Sequence, residues 1–565
     1  MRLFLLYLQF FGFLNLLLAQ SFDRPFYVPD TIKGASIQLE IKDTVHSFFP
    51  GLNSPSFSYN GSYLGPTIIL EKNQEQNFEV RNELMMPTTV HWHGMHVPAE
   101  MDGGPHTVIN PGATWQAHFT IKDDASTMWY HSHLHHHTMK QVTKGLAGMI
   151  IIRDEEEAQL NLPRTYGVDD IPLIIQDRQF LNGALIDSAI MGDSILINGV
   201  ISPFIDLSAN VVRFRILNGS NHRVYMLGFS NDMSFELIAS DGGLYQNAIN
   251  ANRILVAPGE RYELLIDLQN LEDSSIYMYT YASEMPLGYP GGSFVIPDDD
   301  VPSLINGLDL AILKINVQSS NPSGVLNPDL VGLNSFSIWD TSTVDVKRSK
   351  EMNAEIIKGE LVWTINSKVF DLEVMNDTIV LDSKELWTLT NSSGIIHPFH
   401  IHMGHFYIVS RAGQAAPLYE QGKKDVAIVK PGETLKFVMH FEDFVNEEVP
   451  YMYHCHILNH EDNAMMAQFI VVDSSFFNGI TLVEDKLLKL YPNPTKGIVN
   501  LSIGENRYLE KISVLDLLGK LVLEIDLGAK KLQSYPINLE SLNKDVYLIA
   551  VESEDGTRVE KLILE

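Results

Sequence analysis

Histidines separated by a single residue are the feature of this 565-residue sequence most able to do chemistry. Alternate residues of a β-strand project from the same face, so each such pair can offer two imidazoles to one metal ion. Chance explains one pair more easily than four. Four separate motifs contain such pairs: His91 and His93 in HWH, His131 and His133 in HSH, His400 and His402 in HPFHIH, and His454 and His456 in HCH.

The only cysteine, Cys455, lies between the last two of these histidines. On a pleated strand it faces away from both neighbours, so adjacent residues can serve two different metal centres. His460 and Met465, on the loop beyond, can close around the sulfur together with His397. Two histidines, a thiolate and a weak axial methionine form the ligand set of a blue-copper site. Zinc is the competing ion, but structural zinc favours more thiolates and a closed tetrahedron, so the sequence predicts copper.

The elements that must position these side chains are predicted to be β-strands. Segments such as VVRFRILN (211–218) and ELWTLTN (385–391) alternate with a period of two, and clusters of Pro, Gly, Asn and Asp separate them. No long stretch keeps a helical period. We therefore predict an all-β protein.

An internal repeat runs through these strands. An alternating strand ends in asparagine at Asn82, Asn218 and Asn391, and each is followed by a Pro-Gly turn that leads into another strand. The turns lie in NPGATWQAHFTI, APGERYELLIDL and KPGETLKFVMHF. This spacing predicts three copies of one β-sandwich of about 150 residues. The predicted copies span residues 21–160, 161–325 and 326–474.

Composition and the N-terminus bear on where the protein acts. The formal charge of −30, from 40 basic and 70 acidic residues, makes nucleic acid and anionic membrane surfaces unfavourable partners. Residues 1–20 carry one early positive charge and an apolar run that ends near Ala19, the layout of a secretory signal peptide. A membrane anchor is the alternative, although Gln9 and Asn15 interrupt the run. One cysteine allows no internal disulfide, so stability must come from packing or from metal.

The motifs HWHG, WYHSHLHHH, HPFHIH and HCHILNHEDNAMM resemble, in order and in spacing, the four copper motifs of the multicopper oxidases. The resemblance covers roughly residues 25–473. It implies three cupredoxin-like Greek-key β-sandwich domains and four copper ions, one of type 1, one of type 2 and two of type 3. By this resemblance, type 1 is held by His397, Cys455, His460 and Met465, type 2 by His91 and His400, and the type 3 pair by His93, His131, His133, His402, His454 and His456.

The activity that the resemblance implies couples two half-reactions. A reducing substrate gives single electrons to the type 1 site, and O2 is reduced to water at the other three coppers, between the first and third copies. Asp102 and Glu461 resemble the carboxylates that relay protons in bacterial members of the family. A turn carboxylate and a solvated loop acid are the alternatives for these two residues.

The remaining expectations concern the middle copy and the substrate. The middle copy carries NHRVY (221–225) where its neighbours carry His-x-His, so it is predicted to bind no copper and to act as a spacer. His135, His136 and His137 either load copper, orient the ligands, or are solvated beside the site. We predict a monomeric, laccase-like oxidase of phenols, with cuprous or other metal-ion oxidation as the close alternative and a non-catalytic copper-binding protein as the distant one.

Residues 485–565 resemble a domain of another kind. YPNP, the central LLGK and the final VEKLIL match the C-terminal sorting domain of the type IX secretion system, which predicts a small β-sandwich. The resemblance implies the type IX machinery as a partner, and a secreted or outer-surface location after export through the periplasm. A generic adhesion or binding domain is the alternative.

Overall fold

The computed structural model describes residues 21–293, 301, 303–319, 328–336, 341–474, 476, 488–516, 521–553 and 556–564. The predicted signal peptide, residues 1–20, lies outside this part of the chain. Two compact units are present, Met1–Val471 and Val472–Glu565, and each is described by itself. Across the described ranges, no helix has the length and apolar character needed to cross a membrane.

Strands dominate both units, which confirms the prediction of an all-β protein. The described α-helices are short and connect strands, and they are Thr138–Lys144, Glu155–Gln159 and Leu458–Asp462. The described 3-10 turns are Ala99–Met101, Ser230–Asp232, Ala282–Glu284, Thr341–Thr343 and Leu418–Glu420. The last α-helix carries His460 and Glu461, so this short element matters for the site.

The first copy consists of two sheets that enclose a core of their own. Its strand Ser36–Phe49 begins with alternating exposed and buried residues, as a sheet with one buried face requires. The four-stranded sheet has the order Leu52–Tyr59, Ser36–Phe49, Glu75–Asn82 and Thr114–Thr120. The five-stranded sheet has the order Thr31–Lys33, Thr67–Glu71, Ala147–Arg153, Ser126–His131 and His91–His93.

The middle copy also has two sheets around a separate core. The seven-stranded sheet has the order Val200–Ile201, Ser194–Ile197, Asp170–Arg178, Val211–Asn218, Arg261–Asp267, Phe235–Ser240 and Gly243–Ala251. The six-stranded sheet has the order Arg24–Pro25, Pro203–Ser208, Asp309–Gln318, Ser275–Tyr281, Tyr225–Phe229 and Ile254–Val256. A two-stranded hairpin pairs Phe180–Leu181 with Ala184–Leu185. Residues 24–25 thus join the middle copy, although the sequence assigned them to the first.

The third copy pairs two five-stranded sheets over a third core. One sheet has the order Glu360–Ile365, Val346–Ile357, Ser383–Asn391, Thr434–Phe441 and Phe406–Arg411. The other has the order Asp377–Val380, Met466–Val472, Asn446–Cys455, His397–Ile401 and Val426–Val429. The predicted boundaries at 160 and 325 stay predictions, because residues 320–327 lie outside the described chain.

The repeat inferred from the sequence is visible in atomic detail. The three strands end at Asn82, Asn218 and Asn391, and each pairs antiparallel with the strand after its Pro-Gly turn. In every copy the asparagine side-chain amide donates to two main-chain carbonyls, and the turn glycine N–H donates to the asparagine carbonyl. The amide acceptors are Met86 and Ile109, Arg223 and Val256, and Ile395 and Val429.

The second unit is a β-sheet with its own core. Its described strands are Leu488–Tyr491, Ile498–Asp516, Leu521–Asn538, Asp545–Ser553 and Gly556–Leu564. Ile512, Val514 and Ile549 are buried in this core. The strand-rich character predicted for the tail is confirmed.

The asparagine contacts predict a stability effect for Asn218→Ala. Asn218 is fully buried, so its removal leaves two carbonyls without their donor, at a cost of about 1–3 kcal/mol for an unsatisfied buried polar group. We expect denaturant unfolding of the copper-free protein to give a lower free energy of unfolding. The matched control is Asn250→Ala, because Asn250 is exposed and its side chain contacts only Glu236. Equal stability of the two variants would contradict the prediction.

Candidate metal centres

Strand pairing brings the histidine pairs together two at a time. In the first copy, His91 pairs with His131 across the strands His91–His93 and Ser126–His131. In the third copy, His400 pairs with His454 across the strands His397–Ile401 and Asn446–Cys455. Each motif therefore acquires a second pair from its neighbouring strand.

The seam between the first and third copies joins the two sets. The rings of His91 and His402 stack with centroids 3.9 Å apart, and those of His93 and His400 with centroids 3.8 Å apart. The Nε2 atoms of His133 and His454 are 3.1 Å apart. All eight imidazoles of the four pairs are buried. The structure brings them into one cluster, in which the His456 ring lies 4.9 Å from that of His93 and 5.5 Å from that of His131.

The nitrogens of this cluster fit metal ions. Several sets of three side chains have one potential ligand atom each within 4.8 Å of one another. The Nδ1 atoms of His91 and His400 contact main-chain carbonyls, while their Nε2 atoms are buried with no hydrogen-bond partner among the described residues. The same holds for both ring nitrogens of His456. Buried polar atoms are seldom left unpaired, so these nitrogens are suited to a metal. The sets are His91, His93 and His131; His91, His400 and His402; His133, His402 and His454; and His93, His400 and Asp425.

Burial keeps these imidazoles in the form that binds metal. It lowers the pKa of His93, His131 and His400 well below the usual histidine value, and neighbouring imidazoles lower it further. The pKa of His402 falls to about 3 for the same two reasons, despite the opposing effect of Asp102. A neutral imidazole has a free lone pair, so the cluster is ready for metal near neutral pH.

Two predicted carboxylates lie directly behind the ligand candidates. Asp102 Oδ2 is 2.8 Å from His402 Nδ1 and 3.4 Å from His91 Nδ1. Glu461 Oε2 is 3.1 Å from His454 Nδ1, and its Oε1 is 3.3 Å from His133 Nδ1. Burial raises the pKa of both acids, but the imidazoles outweigh burial and lower it overall. Neither residue is a solvated surface acid.

The environment of Cys455 is a separate site on the other face of its strand. The Cys455 sulfur is 3.5 Å from His397 Nδ1 and 3.7 Å from His460 Nδ1, and all three residues are buried. The Met465 side chain is fully buried in the same core, and its carbonyl accepts a hydrogen bond from the Cys455 N–H at 3.0 Å. Three of the four predicted ligands, His397, Cys455 and His460, are therefore brought together, and Met465 meets Cys455 through its main-chain carbonyl.

An unpredicted tryptophan covers this second site. The Trp363 ring stacks on His460 at 4.0 Å and 24°, and meets the edge of His397 at 5.3 Å. Both histidines are 0% exposed and Trp363 is 6% exposed. Ser393 Oγ lies 2.8 Å from His397 Nε2, so the outer nitrogen of that ring also has a neighbour. No sequence pattern indicates this position for Trp363, since a lone tryptophan in a strand is most often part of the core.

A third carboxylate, Asp425, was also missed. Its Oδ1 is 3.1 Å from His93 Nε2, and its carbonyl oxygen is 2.8 Å from His400 Nδ1. It lies in KKDVAIV, far from any histidine pair in sequence.

The three histidines that follow the HSH pair, His135, His136 and His137, lie outside the eight-imidazole cluster. His136 Nδ1 contacts the Asp462 carbonyl at 2.8 Å.

Comparison with protein-family models agrees with this geometry. Three models described as multicopper oxidase match residues 40–157, 175–290 and 339–475. A model described as a secretion system C-terminal sorting domain matches residues 489–565. Both resemblances found in the sequence are confirmed.

Individual relatives and solved structures agree as well. The chain is 34% identical to a multicopper oxidase of Staphylococcus haemolyticus over 436 residues, which is 75% of this chain and 86% of that protein. It is 30% identical to the cell division protein FtsP of Photorhabdus laumondii, covering 76% and 87% of the two chains. The crystal structure of a laccase-like multicopper oxidase from the lignin-degrading bacterium Ochrobactrum sp. superposes with a TM-score of 0.70 at 33% identity, covering 79% of this chain and all of the other. With these matches and two assembled ligand clusters, the chain belongs to the multicopper oxidase family.

Proposed function

We propose that this protein is a laccase-like oxidase that takes single electrons from a small reducing substrate and passes them to O2. The observation that carries the proposal is a Cys/His2 site and an eight-imidazole cluster that meet at Cys455 and His454, two adjacent residues on opposite faces of one strand. When bound, the coppers would accept electrons one at a time and deliver four of them to O2, which becomes two waters. One relative is named as a cell division protein, so membership of the family does not by itself identify an oxidase. The proposal therefore depends on the ligand clusters more than on the fold.

Four coppers are proposed, with the assignment expected from the sequence. The Cys455 set suits type 1 copper because it offers a thiolate, two imidazoles and the neighbouring Met465. His91 and His400 suit type 2, because both leave Nε2 without a partner in the described chain. The proposed type 3 ligands are His93, His131, His133, His402, His454 and His456.

The chain itself provides the connection between the two sites. Cys455 is covalently continuous with His454 and His456, so the path from sulfur to either imidazole runs along one stretch of backbone. Both ends of this path are buried, which keeps solvent away from the electron route. An electron that enters at Cys455 therefore reaches the second site without crossing open water.

Asp102 and Glu461 are proposed to supply protons for the water that forms. Each carboxylate lies within 3.4 Å of ring nitrogens of two imidazoles, Asp102 beside His91 and His402 and Glu461 beside His133 and His454, which places it within proton-transfer distance of the ligands. Their contacts also hold the rings so that the other nitrogen faces the metal. The alternatives, a turn acid and a solvated acid, do not account for these contacts.

The substrate is proposed to be a phenol, and metal-ion oxidation is the second candidate. The Trp363 ring stacks on His460, and both proposed type 1 histidines are buried, which favours a small donor such as a metal ion over a bulky one. A phenol must then pass its electron through or around the indole.

The sorting domain supports a location outside the cell. A chain that ends in such a domain is proposed to use the type IX machinery, with the oxidase released or held at the outer surface. The monomeric state stays a prediction.

Oxygen uptake by the copper-loaded enzyme tests the proposed reaction. A methoxyphenol should drive faster uptake than Cu(I) at matched concentration, and Cys455→Ser should abolish uptake together with the intense thiolate-to-copper absorption. The control works because serine removes the soft ligand that a blue-copper site needs. Faster uptake with Cu(I) would replace the phenol proposal by metal-ion oxidation. No uptake with either donor, and no such absorption, would refute oxidase function.

Trp363→Ala tests the barrier over type 1. Removing the indole opens a route to His460, so phenol-dependent uptake should rise relative to Cu(I)-dependent uptake. Trp363→Phe keeps an aromatic ring in place and is the matched control. An unchanged ratio of the two rates in the alanine variant, with the type 1 absorption intact, would show that Trp363 only fills the core.

Glu461→Gln tests the proton role. The amide keeps the size of the side chain but cannot carry the proton, so uptake should fall by about 100-fold or more while copper content and type 1 absorption persist. Asp462→Asn is the control, because the Asp462 carboxylate accepts main-chain N–H groups of Thr138 and Met139 instead of contacting imidazoles. Uptake at the wild-type rate in Glu461→Gln would exclude a proton role.

Removal of the sorting domain separates catalysis from export. The metal-binding sets of the described residues all lie within the first unit, and the tail has its own core. A chain that ends at Ser474 should keep its copper and its oxygen uptake but remain inside the producing cell. Fractionation of a host with a type IX system checks this, with the full-length chain as control. Release of the truncated chain into the medium would contradict the export proposal.

A further inference from the structure

The Pro-Gly turns of the three copies have the same backbone but different surroundings. Gly112, Gly259 and Gly432 have φ of 75°, 85° and 69°, a region that favours glycine. A Cβ built on Gly112 or Gly432 meets nothing within 4 Å. A Cβ on Gly259 would lie 2.9 Å from both Cδ2 and Cγ of His456 and 3.1 Å from its Nδ1. Only the turn of the middle copy is pressed against a proposed copper ligand.

The residue two positions after this glycine binds all three copies at once. The Arg261 guanidinium donates from Nε to the Thr127 carbonyl of the first copy, on the strand that ends at His131. It donates from both Nη atoms to the Asp425 carboxylate of the third copy, at 2.6 and 2.5 Å. Its remaining donors reach the Gly259 and Asp241 carbonyls. All five N–H groups are therefore used, and none is available for another role.

Asp425 transmits this contact to the imidazole cluster. Its Oδ1 is 3.1 Å from His93 Nε2, so the carboxylate that accepts hydrogen bonds from Arg261 also contacts one ring of the first copy. Its carbonyl oxygen, 2.8 Å from His400 Nδ1, holds a ring of the third copy. A carboxylate behind a ligating histidine fixes the ring orientation and the tautomer. Arg261 thereby acts on two rings that it does not touch.

The glycine of HWHG makes room for this pair. Gly94 has φ of 89°, and a Cβ there would lie 2.6 Å from Arg261 Nη2 and 2.7 Å from Asp425 Oδ2. The motif that supplies His91 and His93 is thus shaped around an arginine of the middle copy. A spacer that merely separated two copper-binding copies would need no such fit.

We propose that residues 257–261 of the middle copy, here called the positioning turn, hold in place three ligands of the trinuclear centre, the name used here for the proposed type 2 and type 3 coppers together. Gly259 bounds His456 on one side, and Arg261 fixes His93 and His400 through Asp425. This assigns a positioning role to the copy that was predicted to be only a spacer. The inference rests on the proposed trinuclear centre and adds to it residues that bind no metal.

The three equivalent glycines provide the test. Gly259→Ala, Gly112→Ala and Gly432→Ala introduce the same backbone strain at the same kind of turn, but only the first forces His456 to move. Copper per chain, the type 1 absorption and the electron paramagnetic resonance of type 2 copper are measured for each. We expect Gly259→Ala to lose copper affinity at the trinuclear centre by about 10–100-fold, with the type 1 absorption kept. The two controls should match wild type.

Arg261→Lys is the second variant, in case Gly259→Ala fails to fold. Lysine keeps the charge but cannot donate to both Asp425 oxygens and the Thr127 carbonyl from one planar group. We expect an altered type 2 resonance and weaker trinuclear copper with the type 1 absorption intact. Arg253→Lys is the matched control, because Arg253 makes a two-pronged pair with Glu284 at the surface of the same copy.

The outcomes separate this inference from the proposed function. If wild type and all controls bind one copper or none, the trinuclear proposal itself fails. If wild type and controls bind a full complement, and Gly259→Ala and Arg261→Lys match them in copper affinity and resonance, only the positioning role fails. Loss confined to these two variants supports it.

Discussion

Pleating at the end of the strand Asn446–Cys455 is the constraint on which both metal centres depend. His454 and Cys455 face opposite sides, so the sulfur points into the core of the third copy while His454 points to the seam with the first. His456 lies just beyond the end of the strand, with its ring beside those of His93 and His131. Residues of the adjacent strand, His397–Ile401, also alternate between the two faces of the sheet. There His397 lies on the face of Cys455, and His400 lies on the face of His454, with which it pairs. The strand of Cys455 has a neighbour on both sides, so its position is fixed before any ion binds.

Charge is the second constraint, because eight imidazoles share a buried volume. The rings of His93 and His400 stack at 3.8 Å, and burial lowers the pKa of both well below the usual histidine value, which keeps this pair neutral. One nitrogen of most rings contacts a carbonyl or a carboxylate, which turns the other nitrogen inward. The inward nitrogens that lack partners cost about 1–3 kcal/mol each while unsatisfied. Metal binding would remove that cost, so copper loading and stability of the first unit are linked.

Much of the site was predictable because short sequence patterns determine it. The His-x-His pairs, the Cys455 flanks, and the strands that end at Asn82, Asn218 and Asn391 each depend on residues close in sequence, and the structure contains all of them. Asp425, Arg261 and Trp363 were missed because their roles depend on contacts between residues far apart in the sequence. Arg261, for example, binds Asp425, which lies 164 positions later in the chain. An isolated acid, arginine or tryptophan carries no pattern of its own. The placement of Arg24–Pro25 in the middle copy was missed for the same reason.

The middle copy contributes to the proposed site although none of the metal-binding sets among the described residues lies within it. It keeps the asparagine that ends its strand and the glycine of its turn, because these hold its own fold together. It has NHRVY where its neighbours have histidine pairs, and His222 contacts Asn459. The turn that the fold requires then lies beside His456, and the first residue of the next strand is an arginine that reaches Asp425. The Pro-Gly turn stabilises the fold of all three copies. In the middle copy it also positions proposed copper ligands that belong to the first and third copies.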